Sequence, residues 1–478
     1  MGRFNEIHKR NRREQGELWI SLSIPVRIPH RVKENRRSYS GGLNLLNELI
    51  ELNNLAGSGK RVADNIYERI VSIKARNTSP VILGGPRGDT VFENGNQVKW
   101  WGVRHTAVRG VWRWWIRAIL SGIAWENGYN LDYKDMSKLE AKIGLGTVKG
   151  LDNKDGESSR VILRINSEIK SIPINRNRFR GNTTSLLLKK ISRYSMLTLG
   201  NQREVLFRKQ PIHPGNLEIE ISILARREIS DWVKNLLVLA LGLALTKGGI
   251  GQMTSRGFGK FEILWMDPND VSQSIFKKSL REVVKDELKQ ICEDCDLNNI
   301  LNRERFQNRT KNEELSKIPT LHQDVLKSEI VDTRVKLDHS NIIPARNVWD
   351  VLIAIGRATL KVNWKTNYRQ SGRNYHTWPL GLPRFARNTG YAFKKNNKLD
   401  PGRLTSLLRA VPVKDGREWK TELFMFYTKD LERCWSELYH LSRQRRSGLQ
   451  RTRVSQIARD KRPRELADEA FEKVKSLL

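Results

Sequence analysis

The sequence predicts an α+β fold, and three observations support this prediction. Apolar residues alternate in strand fashion at residues 18–24 and 217–225, and an almost wholly apolar stretch at 231–247 predicts a buried helix. In the first half of the chain the elements follow the order strand, helix, strand, strand, helix, strand, which is the ferredoxin-like order. A second series of helix and strands begins near residue 341. The prediction is therefore two ferredoxin-like (RRM-like) domains with helical insertions.

The predicted domains divide the chain at two places where composition changes. Residues 1–265 form the first domain, with a basic insertion near residues 27–75. Residues 266–340 are polar, with mixed charge and few aromatic residues, and predict a helical connector. Residues 341–478 form the second domain, which ends in a basic helical tail at 443–464.

Each element rests on periodicity and on turn signals at its ends. In the first domain the predicted elements are a strand at 18–24, a helix over 43–75, a helix from Thr106 to about 125, strands at 160–165 and 217–225, the helix at 231–247 and a strand at 261–265. In the second domain they are a helix at 345–361 and strands near 404–413 and 421–427.

The charge of the chain indicates a polyanionic partner. The formal net charge is +34 over 478 residues, with a sequence pI of about 10.2 and a mean hydropathy of −0.56. No window approaches the roughly 18 apolar residues of a membrane span, so nucleic acid is favoured over a membrane. The basic start of the chain lacks the apolar core of a secretory signal, and the expected location is the cytoplasm.

Residues 100–117 hold five of the fourteen tryptophans and four arginines. On a helical wheel that starts at Thr106, the predicted N-cap, one face is apolar and includes Trp112 and Trp115. Arg109, Arg113 and Arg117 follow one another at a spacing of four along an adjacent stripe, and Trp114 lies off the apolar side. Guanidinium groups suit phosphates, so the stripe is a candidate RNA-facing surface, with Trp114 as a candidate for base stacking. The alternative is a core helix with a solvated face.

A glycine-rich loop follows the apolar helix at 231–247. Five glycines, Gly248, Gly249, Gly251, Gly257 and Gly259, lie among the basic residues Lys247, Arg256 and Lys260. Glycine allows another backbone to come close, which suits contact with a sugar-phosphate chain. The spacing fits neither a Walker loop nor GxGxxG, and a wide turn without a ligand stays open as an alternative.

Taken together, these stretches resemble the RAMP superfamily of CRISPR-associated RNA-binding proteins. The hallmark is GGIGQMTSRGFGKFEI, a glycine-rich loop between an apolar helix and a last strand. More narrowly, RHTAVRGVWRWWIRA and GESSRVILRI are similar to a helix and a strand of the large double-RAMP head subunit of type III-B (Cmr) effector complexes. GLPRF at 381–385 and GRLTSLLRAVPV at 402–413 resemble motifs of a second RAMP unit more weakly.

The resemblance implies a non-catalytic RNA-binding subunit that contacts the 3′ part of a guide RNA and helps to capture target RNA in antiviral defence. The implied partners are guide RNA, target RNA and other RAMP subunits, with no cofactor, metal or membrane. The expected RNA-binding residues are Arg104, His105, Thr106, Arg109, Arg113, Trp114, Arg117, Arg160, Lys247, Gly248, Gly249, Gly251, Arg256, Gly257, Gly259 and Lys260.

Two further interpretations remain open from the residues. Some RAMP relatives cleave guide precursors without metal, and His105 is the one histidine in a basic, motif-rich setting, so a metal-independent endoribonuclease is the alternative function. Its ordinary role would be a hydrogen bond at the helix start. Cys292 and Cys295 form a single CxxC without the second pair that a zinc ribbon needs, which favours free thiols.

Overall fold

The structure is a computed structural model that describes parts of the chain between Tyr67 and Leu478. The described residues are 67–83, 92–93, 97–98, 103–146, 159–169, 212–213, 215, 217–268, 273–293, 296–303, 306, 308–310, 313–336, 342–359, 378–381, 384–386, 389–395, 398–400, 406–444, 448–457 and 461–478. The strand predicted at 18–24 and most of the insertion near 27–75 lie outside these residues.

Four antiparallel strands form the first sheet. They are β1 (Tyr67–Asn77), β2 (Val161–Ile169), β3 (Leu217–Arg226) and β4 (Phe261–Asp267), in the spatial order β2-β3-β1-β4. The last three were predicted, at 160–165, 217–225 and 261–265. The helix predicted over 43–75 is wrong for residues 67–75, because β1 buries Val71, Ile73 and Ala75 with the period of two that a strand requires.

Three helices share a hydrophobic core with this sheet. They are α1 (His105–Glu126), α2 (Tyr133–Lys142) and α3 (Asp231–Leu243), which continues as a π-helix at Ala244–Gly248. Asp132 begins α2 with a capping box closed by Asp135. The predicted N-cap of α1 is wrong: Arg104 caps the helix without a side-chain bond, and Thr106 lies exposed inside the first turn.

The connector is only partly helical. Its helical segments are a 3-10 turn at Gln273–Lys277, the consecutive pieces Leu280–Glu282, Val283–Glu287 and Leu288–Glu293, and a helix at Leu297–Arg303. The predicted helical connector at 266–340 is wrong at its end, where β5 (Leu326–Asp332) pairs with a strand of the second sheet. The partner strand lies about 90 residues later along the chain. Local periodicity does not indicate a pairing over that distance.

The remaining elements belong to the C-terminal half. They are α4 (Val348–Ala358), β6 (Thr389–Lys395), β7 (Leu408–Asp415), β8 (Glu418–Phe426), α5 (Asp430–Glu437), β9 (Leu438–Gln444), β10 (Gly448–Arg453) and α6 (Pro463–Ser476). Shorter pieces are Val81–Ile82, Phe92–Glu93, Gln97–Val98, Ile212–His213, Arg334–Lys336, Ile342–Pro344, Trp378–Leu380, Arg384–Ala386, Lys398–Asp400 and Val454–Ile457.

Two further sheets organise this half. The second sheet has the order β7-β8-β5, and the third contains Arg384–Ala386, β6, β9 and β10, with Lys398–Asp400 paired to β6. The helix predicted at 345–361 is confirmed by α4, and the strands near 404–413 and 421–427 are confirmed by β7 and β8. Part of the predicted helical tail is strand, because β10 pairs with β9 over six residues.

Helix α1 is packed between the first and second sheets. On one side it shares a hydrophobic core with Val71 and Ile73 of β1. On the other side the second sheet contributes Phe424 and Phe426 to that same core, while its opposite face packs on α4 and α6. Both sheets therefore depend on α1 for burial of apolar surface.

Among the described residues, no helix combines the length and the apolar composition that a membrane crossing requires.

Candidate nucleic-acid interface

A pocket of about 270 Å³ lies between the N-terminal half of α1 and strand β2. Its walls are His105, Arg109, Trp112, Arg113, Leu145, Ser159, Val161, Ile162 and Leu163. The pocket brings together the helix and the strand that carry the motifs RHTAVRGVWRWWIRA and GESSRVILRI. Its walls combine apolar side chains with three basic ones, which is the mixture found in sites that hold a polar ligand against an apolar surface.

His105 anchors α1 to the edge of the first sheet. Its Nε2 donates a hydrogen bond to the carbonyl oxygen of Leu163. Strand β2 is an edge strand, so alternate carbonyl groups point away from β3 and can accept such a bond. The imidazole therefore has a local structural role at the helix start, as its ordinary interpretation expects.

Arg109 is an exposed cation of the pocket. It is exposed on α1, and within the described part of the chain its guanidinium has no hydrogen-bond or ion-pair partner. Arg160, just before β2, and Arg164, within it, are also exposed. Their guanidinium groups likewise have no hydrogen-bond or ion-pair partner among the described residues. Arg104, half-buried, precedes the helix. These groups are available to an anion from solution.

Arg113 and Arg117 are held from behind by one buried carboxylate. Glu140 of α2 is 1% exposed. Arg113 donates to it from Nε at 3.3 Å and from Nη2 at 2.9 Å, and Arg117 donates from Nε at 3.0 Å and from Nη2 at 2.8 Å. The side chains remain 22% and 35% exposed. The arginine stripe thus divides into one free residue and two anchored ones.

The two tryptophans predicted for the core are confirmed there. Trp112 is 3% exposed and Trp115 is fully buried. The indole Nε1 of Trp112 donates to the carbonyl of Leu237 in α3 at 3.0 Å, which satisfies its one polar atom and joins the two helices.

Trp114 has an internal role, which corrects the expectation of an exposed stacking ring. Its ring packs edge-on against Trp115 and Phe426, with centroid distances of 5.2 and 5.4 Å. The guanidinium carbon of Arg409 lies 4.3 Å from the ring centroid. Since Arg409 is 8% exposed and covers that face, this face of the ring is closed to a base.

The basic residues of the glycine loop point inward. Lys247, Arg256 and Lys260 are 3%, 4% and 1% exposed. Lys247 Nζ contacts Glu422 Oε2 of β8 at 2.5 Å, and Lys260 Nζ donates to the carbonyls of Lys247 and Gly248 at 2.6 and 2.8 Å. The expectation that these cations face RNA is therefore corrected: buried cations need internal partners, and these have them.

Arg256 attaches the loop to the C-terminal half. Its guanidinium donates to the carbonyls of Leu380 and Leu408 at 2.5 and 3.5 Å. The backbone adds a hydrogen bond from the amide of Ala410 to the carbonyl of Ser255 at 3.2 Å. The loop therefore joins the first sheet to the second sheet, through its contacts with β7.

The glycines of the loop allow its backbone to pack closely on itself and on neighbouring side chains. Gly249, Gly251, Gly257 and Gly259 all have positive φ, and a Cβ on Gly259 would lie 2.0 Å from the carbonyl oxygen of Ile250. A Cβ on Gly248 would lie 2.4 Å from the indole nitrogen of Trp115. Only Gly251 of the five is exposed. This geometry agrees with the alternative left open by the sequence, a wide turn without a ligand. Gly251 is the exception, because it is exposed.

Burial shifts the pKa of two of the cations in this region. It lowers the pKa of Lys260 well below the ordinary lysine value, and neighbouring Arg409 and Lys247 lower it further. Burial also lowers the pKa of Arg409 to about 10. In the parts of the chain that the structure describes, no three His, Cys, Asp or Glu residues are grouped to hold a metal ion. Cys295 and the side chain of Cys292 lie outside those parts.

Three residues of the site were missed in the sequence. Ser159 begins β2 by accepting from the amide of Val161 at 3.2 Å, and Arg164 continues the exposed side of that strand. Both were detectable, because they lie within the motif GESSRVILRI. Glu140 gave no signal, since its partners lie 23 and 27 residues earlier along the chain.

Comparison with known proteins confirms the resemblance to the RAMP superfamily for part of the chain. Residues 75–262 match the family model of the RAMP superfamily. Among curated proteins, none matches the sequence.

Three solved structures are similar to the chain. The first is Cmr1 from Pyrococcus furiosus in its apo form, at 17% identity over 75% of this chain and 88% of that chain, with a TM-score of 0.43. The second is a chain of type III-B Cmr-beta bound to cognate target RNA, at 14% identity over 86% and 99%, with a TM-score of 0.46. The third is from Cmr-beta bound to cognate target RNA and AMPPnP in the presence of ssDNA, at 13% identity over 86% and 100%, with a TM-score of 0.47.

Proposed function

Because residues 75–262 match the RAMP superfamily, we propose that this chain is a non-catalytic RNA-binding subunit of a type III-B CRISPR ribonucleoprotein. In this role it contacts the 3′ part of the guide RNA and helps to capture target RNA in antiviral defence. Its partners are guide RNA, target RNA and other RAMP subunits. The net charge of +34 supports a polyanion as the main ligand.

The observation that carries the proposal is the accessible basic pocket between α1 and β2. Arg109 is free to pair with a phosphate, and Arg113 lines the same pocket. Arg104, His105, Thr106, Arg117 and Arg160 surround it or adjoin it along the two elements. We refer to these residues, with Arg109, Arg113 and Arg164, as the α1–β2 surface. The buried cations of the glycine loop are not included.

We also propose that the first domain has a ferredoxin-like fold. Taken from β4, the spatial strand order is 4-1-3-2, with two helical crossovers on one face, as in a βαββαβ unit. The proposed domains are 1–265 and 341–478, the second also RAMP-like, with 266–340 between them. Strand β5 of that middle segment supplements the second sheet.

The experiment that tests the function is a titration of fluorescein-labelled guide RNA with purified protein. Arg109→Ala should weaken binding by a factor of several to about tenfold, consistent with about 1 kcal/mol for one contact. The matched control is Arg417→Ala, which removes another exposed charge, from the turn between β7 and β8. Equal affinity of the two variants would refute the α1–β2 surface as the RNA site.

Assembly is tested separately. The chain is co-expressed with the other subunits of a type III-B complex and a guide RNA, and the purified particle is analysed by native mass spectrometry. We expect this chain and one guide RNA of defined length in the same particle. Recovery of the complete particle without this chain, when it is expressed and folded, would contradict the assignment.

A further inference from the structure

We propose that Glu140 is a positioning residue that holds Arg113 and Arg117 in a fixed orientation for RNA phosphates. The inference rests on the proposed function and deepens it, because it assigns a role to an acidic residue inside a basic site. Its starting point is geometric: one carboxylate, 1% exposed, accepts four hydrogen bonds from two guanidinium groups.

The bonding pattern determines which part of each guanidinium remains available. Both arginines use Nε and Nη2 toward Glu140, which is the side-on fork that matches a carboxylate. Among the described residues, no hydrogen bond uses the Nη1 group of either arginine, and the side chains keep 22% and 35% exposure. Two Nη1 groups, one turn apart on α1 and held by one anchor, are thus available to another acceptor.

The charges make this arrangement suitable for an anion. Glu140 neutralises one of the two arginines, so the triad retains a charge of about +1 with its carboxylate oxygens already occupied. Arginine loses much rotamer freedom when it is fixed, and here the fold has already fixed it before RNA arrives. Arg113 also lines the pocket beside Arg109, which places one anchored and one free cation at the same opening.

A positioning role and a purely electrostatic role predict opposite results for one substitution. Removal of a carboxylate near an RNA site should tighten binding if only charge matters. If Glu140 positions the two arginines, Glu140→Gln should weaken binding several-fold although it makes the protein more positive. The slope of log Kd against log salt should also fall, by about 0.7 for each phosphate of single-stranded RNA that the variant no longer neutralises.

The experiment titrates labelled single-stranded guide RNA at four salt concentrations with wild type, Glu140→Gln and Glu228→Gln. Glu228 is an exposed carboxylate, without a partner among the described residues, and so provides the matched loss of one negative charge. We expect Glu228→Gln to bind as tightly as wild type or slightly tighter, with an unchanged salt slope. Glu140→Gln binding as tightly as Glu228→Gln, with the wild-type slope, would overturn the proposal.

A double-mutant cycle separates positioning from loss of structure. If Glu140 acts through the arginines, Glu140→Gln should add little to the loss already caused by Arg113→Ala and Arg117→Ala together. Full additivity would contradict this. Should Glu140→Gln fail to fold, Glu140→Asp keeps the charge but withdraws the carboxylate by one methylene, and it should weaken binding several-fold. Wild-type affinity of a folded Glu140→Asp protein would overturn the inference.

Failure of this inference and failure of the proposed function give different results. If Arg109→Ala, Arg113→Ala and Arg117→Ala all bind RNA like wild type, the α1–β2 surface is not the RNA site. If those variants bind weakly while Glu140→Gln does not, the surface stands and only the role of Glu140 is refuted.

Discussion

Trp114 is the residue for which the structure changed the expectation most. A tryptophan in a basic helix suggests base stacking, but here the ring is packed between Arg409, Trp115 and Phe426. Tryptophan supplies a large apolar surface, and close contacts with other rings and a cation add to the stability. Its contribution therefore concerns the free energy of unfolding, not the affinity for RNA.

Trp114→Ala should consequently lower the free energy of unfolding by roughly 3 kcal/mol, since the ring is only partly buried. Urea denaturation measures this change. Trp265→Ala is the matched control, because that ring is 46% exposed on β4, and a loss of no more than about 1 kcal/mol is expected. Weaker RNA binding by Trp114→Ala at unchanged stability would indicate that the ring does stack with a base.

His105 allows a direct test of the alternative function. Its ring donates to the carbonyl of Leu163, so one nitrogen is occupied in the structure. Repeat RNA incubated with the protein and a metal chelator should therefore remain intact, as followed on a denaturing gel. Site-specific cleavage that His105→Ala abolishes would make the protein a metal-independent endoribonuclease.

At the scale of elements, the glycine-rich loop is a packing element. Its backbone approaches Ile82, Ile250 and Trp115 more closely than a side chain would permit. Its basic side chains donate hydrogen bonds to Glu422 and to backbone carbonyls. The glycine pattern is thus explained by close packing within the loop and against α1 and Ile82, and Gly257 alone packs against the C-terminal half, at Leu352 and Pro412.

Gly259→Ala should be strongly destabilising, by at least about 2 kcal/mol, because φ is +70° and the new Cβ would lie 2.0 Å from a carbonyl oxygen. Gly110→Ala provides the comparison: it lies in α1 with nothing within 4 Å, and alanine should stabilise the helix by about 0.5–1 kcal/mol. Thermal unfolding of both variants measures the difference. Equal stability of Gly259→Ala and wild type would contradict the packing role.

What the sequence predicted, and what it did not, follows from how local each signal was. Trp112, Trp115 and helix α3 were predicted because their periodicity is contained in a single helix. The inward orientation of Lys247 depends on Glu422, 175 residues later. A local pattern does not show long-range contacts of this kind. Strand β1 is a different case, because its alternation of Val71, Ile73 and Ala75 is local and indicates a strand, so the helix prediction misjudged the period.

At the scale of the whole molecule, the described halves share one of the two hydrophobic clusters. Phe424 and Phe426 of the second sheet pack in the same cluster as Trp115 of α1. Lys247 and Glu422 form a buried ion pair across the same contact. Their side chains are 4% and 0% exposed, respectively. The two halves should therefore unfold together, not as independent domains.

Phe424→Ala tests this coupling. Removal of the buried ring should lower the free energy of unfolding by about 3–4 kcal/mol and shift the complete transition. Tryptophan fluorescence and far-UV circular dichroism in urea should report coincident curves for wild type and variant. Two separate transitions, of which the substitution shifts only one, would show that the halves are independent.

The central claim is that RNA lies on the α1–β2 surface, and photo-crosslinking tests it most directly. Guide RNA that contains 4-thiouridine is irradiated with the full-length protein, and the cross-linked peptides are identified by mass spectrometry. We predict cross-links within residues 103–117 and 159–164, reduced in Arg109→Ala and retained in Arg417→Ala. Cross-links confined to other segments, with none in these two, would contradict the claim.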